Sequence, residues 1–148
     1  MDIKEELTEA MRSAMRANDD VARRTTRMVL AAIKLAEVDK QAALEDATVM
    51  GLLQKEIKNR REAIEEARKA NREDLIADNE AEITVLEAFL PKAMSQEELR
   101  QLAQAAIAET GASAAPDMGK VMKALMPKVA GRAAGDQVSA VVKELLTQ

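Results

Sequence analysis

Apolar residues recur every three to four positions along nearly the whole chain, the period of helices that each bury one face. A first helix is predicted from Asp2, where Glu5 three residues later completes a capping box and Ile3, Leu7, Met11, Ala14 and Met15 share a face. Asn18-Asp19-Asp20 ends it and caps a second helix, expected to run to about Val38 with Val21, Thr25, Met28, Ala32, Leu35 and Ala36 inward. After a polar linker over 39–45, Asp46 is the expected N-cap of a long helical stretch over 47–89. Val49, Leu53, Ile57 and Ile64 carry its first part; Leu75, Ile76, Ile83, Leu86 and Phe89 carry its second. A break is expected at Asn71, because Asn tolerates the left-handed conformation of a helix end.

Pro91 is the strongest boundary, since the residue before a proline avoids helical geometry. Beyond it Ser95 and Glu98 form a second capping box, and Leu99, Leu102, Ala103, Ala106 and Ile107 line a helix that stops at Gly111. Asp117 is read as the cap of a short helix with Met118, Val121, Met122, Leu125 and Met126 inward, stopped by Pro127. Gly131 to Gly135 form a turn, and Asp136 is read as the cap of a last helix carrying Val138, Val141, Val142, Leu145 and Leu146. The predicted fold is all-α: an N-terminal lobe of long helices over 1–93 and a three-helix lobe over 94–148.

Composition narrows the chemistry. Ala supplies 29 of the 148 residues, Phe89 is the only aromatic, and there is no Trp, Tyr, His or Cys. That excludes thiol and imidazole catalysis, disulfides and the usual zinc sites. Carboxylate pairs such as Glu62–Glu66 and Glu80–Glu87 read as solvated helix face, as do the charges of the long helix, with Glu56–Arg60 and Glu65–Lys69 as i,i+4 pairs. No catalytic residue, metal or cofactor is assigned. No apolar run approaches the ~18 residues of a membrane span, and the charged start Met1 to Glu6 is unlike a signal peptide, so a cytoplasmic protein without a membrane partner is expected.

The net charge of −4 is uneven. Residues 1–90 hold 15 Lys/Arg against 20 Asp/Glu, whereas within 117–135 Lys120, Lys123, Lys128 and Arg132 face only Asp117. With Gly119 and Gly131 allowing close approach, and a helix N-terminus nearby, this is the candidate phosphate-binding site. It is not a nucleotide loop: Ala114 and Val121 stand where that motif needs Gly and Ser/Thr. Arg23, Arg24 and Arg27 form a second basic cluster, expected in ion pairs of the acidic lobe.

The run Asp117 to Lys128, followed by Gly131-Arg132-Ala133, resembles the signature of the GatB/YqeY family. Lys55 to Glu62, Arg72 to Leu75 and Leu86 to Pro91 resemble its stand-alone YqeY-type members, so that the likeness covers essentially the whole chain. Two positions depart: Asn71 stands where the family usually has Gly, and Ala134 where it usually has Asp, which removes a cap or contact unless Asp136 replaces it. The resemblance implies an all-α fold with a three-helix tail. That tail is similar to the tRNA-gripping domain of GatB, a subunit of the glutamine-dependent amidotransferase that makes Gln-tRNA(Gln). The link to carbon–nitrogen ligase activity is therefore one of family, since the enzyme's catalytic domain is absent from this chain, and whether the chain is itself an enzyme stays open.

The function expected is a non-catalytic, tRNA-associated helical module, with a tRNA or a tRNA-processing enzyme as partner. Lys120, Lys123, Lys128 and Arg132 would contact phosphates. Without stacking aromatics the RNA would be recognised by shape and backbone. The alternative is a protein-interaction adaptor that takes a partner helix in a groove between the lobes. The oligomeric state is not fixed by the residues.

Overall fold

The computed structural model of the chain describes residues 1–147. Among them are seven α-helices and no strand: α1 Ile3–Ala17, α2 Asp20–Lys40, α3 Asp46–Lys69, α4 Glu73–Glu87, α5 Gln96–Thr110, α6 Met118–Val129 and α7 Gly135–Leu146. The all-α expectation holds. Packing divides the chain into two units, Met1–Leu90 and the remainder from Pro91 on.

In the first unit, Asp2 and Glu5 form the complete capping box of α1, and Asn18, at φ 55°, turns the chain into α2. Ile3, Leu7, Val29, Ile33, Val49, Leu53, Ile57 and Leu86 make the core. Four expectations change. Met15 of α1, expected inward, is 51% exposed. Asp46 does not cap α3; the N-cap is Glu45, and Asp46 Oδ1 instead accepts from the Ile3 N–H at 3.1 Å. The first N–H groups of a helix have no partner inside it, so this carboxylate ties the start of α1 to the start of α3. On α2 the buried residues are Thr25, Thr26, Val29 and Ile33, while Met28 and Leu35, expected inward, are 42% and 65% exposed. The helix carries apolar residues on two faces, and periodicity alone does not say which one meets the core. On α4, Leu75 is also exposed, near the tip of the α3–α4 turn where Asn71 takes φ 54°.

The charged face of α3 is not wholly solvated. Arg60 is buried: its Nε donates to Glu82 Oε2 at 2.9 Å, and Nη1 donates to the Glu56 carboxylate at 2.7 Å and the Glu56 carbonyl at 3.1 Å. Glu82 also receives Arg24 at 3.3 Å. A buried guanidinium is tolerated because its donors are matched in this way. The expected Glu65–Lys69 pair is replaced by Glu65–Arg68 and Glu66–Lys69.

The second unit packs α5, α6 and α7 around Leu99, Ala103, Ala106, Val121, Leu125, Val129, Val138, Val141, Val142 and Leu146. Ser95 caps α5 through the Glu98 N–H at 3.1 Å, and Gly111 closes it at φ 70°. Pro127 does not stop α6, which continues to Val129. Proline removes one hydrogen bond, but in the last turn that loss is offset by the complete burial of Val129 beside Leu125. Neither Asp117 nor Asp136 caps its helix by side chain. The N-cap of α7 is Ala134, and Asp136 does not replace the missing cap.

Candidate functional site

The two faces of α6 have separate duties. Val121, Leu125 and Val129 hold it to the tail core, while Gly119, Lys120 and Lys123 lie exposed on the outer side. Lys120 and Lys123 are three residues apart, so their Cβ atoms are about 5–6 Å apart. Neither makes a hydrogen bond or ion pair with another described residue. A Cβ built on Gly119 would meet nothing within 4 Å, so the fold itself does not demand glycine there.

The other two cations are engaged inside the tail. Lys128 Nζ donates to Glu109 Oε2 at 2.7 Å, a bond that holds the Glu109 carboxyl below the usual carboxylate range. Arg132 donates to Glu98 Oε2 and to the carbonyl of Lys92, both at 3.0 Å, and its own carbonyl accepts from the Met94 N–H at 2.8 Å. Ala130 and Gly131, at φ 50° and 79°, turn the chain after α6 so that Arg132 clasps the segment leading into α5. With Glu98 and Glu109 counted beside Asp117, the four cations face three carboxylates, and the local excess falls from +3 to +1.

The N-terminus of α6 is also less open than the sequence suggests. A single 3-10 turn over Ala115–Asp117 precedes it, in which Asp117 N–H donates to the Ala114 carbonyl at 2.9 Å and Met118 N–H to that of Ala115. The Ser113 N–H, 3.0 Å from Asp117 Oδ2, holds this carboxyl below its usual range, against the opposing effect of burial and with help from the Ala114 N–H and Lys120. An ionised carboxylate therefore already faces the positive end of the α6 dipole. What remains for an external anion is the Lys120–Lys123 pair and the bare surface at Gly119.

The sequence reading has the Glu56–Arg60 pair, found at 2.7 Å, but misses the burial of Arg60 and its contact with Glu82, and misses Glu98 and Glu109 as the partners of Arg132 and Lys128. All three contacts join separate segments, Arg60 of α3 to Glu82 of α4, Lys128 of α6 to Glu109 of α5, and Arg132 of the α6–α7 turn to Glu98 of α5, which periodicity within one helix does not reveal. Among the described residues, no group of three or more carboxylates is placed to hold a metal ion, and no helix is long and apolar enough to cross a membrane.

Residues 4–146 match the pattern of the YqeY-like protein family. The chain belongs to that family. This YqeY-like chain is 30% identical over 141 residues to a Pyrenophora tritici-repentis protein named altered inheritance of mitochondria protein 41, mitochondrial; the match covers 92% of the chain and 76% of the relative. Proteins of the same name from Vanderwaltozyma polyspora and Lachancea thermotolerans are 35% and 36% identical over 85 residues, 57% of this chain. The matches span about three quarters of the first relative and 46% of each of the other two. These names correct the cytoplasmic expectation, which does not stand: the relatives are named as mitochondrial proteins. The expectation rested on the lack of long apolar segments, and that property bears on bilayers and not on compartments.

Proposed function

We propose that this YqeY-like chain is a non-catalytic module that associates with folded RNA of the tRNA type through the outer face of α6. The observation that carries the reading is the exposed Lys120–Lys123 couple beside Gly119, neither lysine in a hydrogen bond or ion pair and only Lys120 in the field of Asp117, on a helix whose opposite face is locked into the tail core. Two ammonium groups on one rigid face suit two phosphates, and bare backbone beside them lets a sugar–phosphate strand come close. Phe89 being the only aromatic, base stacking has no platform, which favours recognition of backbone and shape. Lys128 and Arg132 serve this face indirectly, by holding the tail together. The tail's likeness to the tRNA-gripping domain of an amidotransferase subunit supports the same division of labour: grip here, chemistry in a partner enzyme.

The test is filter binding of a folded tRNA to the full chain at low salt. A dissociation constant in the non-specific range of roughly 10⁻⁴–10⁻⁶ M is expected. Lys120→Gln with Lys123→Gln should weaken it about tenfold or more, while Lys55→Gln with Lys58→Gln, two exposed cations on α3, should leave it nearly unchanged. Arg60 is unsuitable for such a control because its charge is part of the first unit's interior. Equal losses from both pairs would reduce the interaction to general electrostatics, and no binding at low salt would remove the RNA reading.

A further inference from the structure

The outer face of α2 carries an apolar line that the fold leaves largely exposed, Met28 at its start being partly held from beneath, where its Sδ accepts from Arg60 Nη2 at 3.7 Å. Met28, Leu35 and Val38 are 42%, 65% and 64% exposed, and exposed Ala31 stands between the first two. The spacing is 3-4-3, which keeps the four on one stripe over about 15 Å of helix. The core face of α2, with Val29 and Ile33, points the other way. Scattered apolar surface residues need no explanation, but four in register on one helix are a docking pattern.

Charge says what fits there. Arg27 and Lys34 each precede a stripe residue and are seven apart, so they share one long edge of the stripe. Neither makes an ion pair or hydrogen bond with another described residue. At the N-terminal end Arg23 and Arg24 are held by Asp20 and Glu82, and Asp20, Arg23, Arg24, Arg27, Met28 and Ala31 line a shallow hollow of about 450 Å³. In a unit that is acidic overall, this is a basic edge beside an aliphatic stripe. A second copy docked antiparallel about a two-fold axis would set the Arg27–Lys34 edge against itself, which repels. Exposed Leu35 and Val38 offer nothing to a phosphate backbone.

We propose that the outer face of α2 is a docking site for an acidic amphipathic helix of a partner protein, with aliphatic side chains on Met28, Ala31, Leu35 and Val38 and carboxylates against Arg27 and Lys34. This site is in the first unit and is independent of the RNA reading of the tail.

The probe is a fluorescent synthetic helix of about three heptads with Leu at a and d and Glu at e and g, titrated with the full chain by anisotropy; its twin carries Lys at e and g. The Glu probe should bind in the micromolar range and the Lys probe at least about tenfold more weakly. Leu35→Ser with Val38→Ser should weaken the Glu probe about tenfold with helical content unchanged. Arg27→Glu with Lys34→Glu should invert the preference towards the Lys probe, a result that partial unfolding cannot imitate. Equal binding of both probes, or of neither, overturns the proposal. So does concentration-dependent self-association of the wild type that Leu35→Ser/Val38→Ser abolishes, since the occupant would then be a second copy. Loss of tRNA binding in that variant, with probe binding intact, would likewise reassign the face to RNA.

Discussion

Gly111 and Gly119 both stand at helix ends, for different physical reasons. Gly111 closes α5 at φ 70°, where an L side chain is strained whatever space surrounds it, and a Cβ there meets nothing within 4 Å. Gly111→Ala is therefore expected to cost about 1 kcal/mol through conformation alone. Gly119 is helical, exposed and equally open, so Gly119→Ala is expected to raise stability by up to about 1 kcal/mol. Urea unfolding of the two variants checks both signs, and a stabilised Gly119→Ala chain that loses tRNA binding would show that the glycine serves the ligand. Gly111 was legible as a helix stop from its place after an apolar run. The roles of Arg60, Arg132 and Lys128 were not, because each depends on a carboxylate 19 or more residues away, Glu82, Glu98 and Glu109, which only the packed helices bring near.

Elements were read best where one apolar face dominates. The buried faces of α5, α6 and α7 follow the expected spacing except at Met126, expected inward but 37% exposed, because most outward positions of these helices are charged, polar or small. On α2 both faces are apolar and the expected stripe mixes them: Thr25 is buried as expected, whereas Met28 and Leu35 lie on the outer face. Helix caps were legible at Asp2 and Ser95 and misread at Asp46, whose carboxylate is taken by the Ile3 N–H of another helix. A second contact of this kind has a pH signature. Glu37 of α2 accepts from Lys4 of α1 at 2.6 Å and from the Leu44 N–H at 3.0 Å, which hold its carboxyl below the ordinary value of 4.5. A carboxylate with a lowered pKa contributes stability that is complete above its ordinary value and lost as pH falls through the folded one. Thermal unfolding followed from pH 7 down to pH 3 should therefore show a smaller decline for Glu37→Gln than for wild type. An equal decline would mean that the contact does not bear on stability.

At the scale of the molecule, packing divides the chain at Leu90 and Pro91, three residues before the expected boundary, and because the two cores share no residue we propose that the two units fold separately. Leu125→Ala should remove about 2–5 kcal/mol from the tail, while Lys123→Ala, on the exposed face, should change little. Hydrogen exchange would then show lost protection in α5–α7 with α1–α4 unchanged; loss in both would contradict separate folding. The helical class and the strong break at Pro91 were legible because helix periodicity and proline geometry are local. The net electrostatics of the tail were not, because Glu98 and Glu109 cancel half of the basic cluster only once α5 packs against α6. That cancellation gives the most direct test of the account: the salt dependence of tRNA binding by the full chain. At about −0.7 to −0.9 in log K against log salt per neutralised phosphate, the values for single strands and duplexes, two lysines outside any ion pair predict a wild-type slope between about −1.4 and −1.8, half of what four cations would give. In the Lys120→Gln/Lys123→Gln variant the slope should fall close to zero. A wild-type slope that this variant leaves unchanged would contradict the assignment of α6 as the RNA-contacting face.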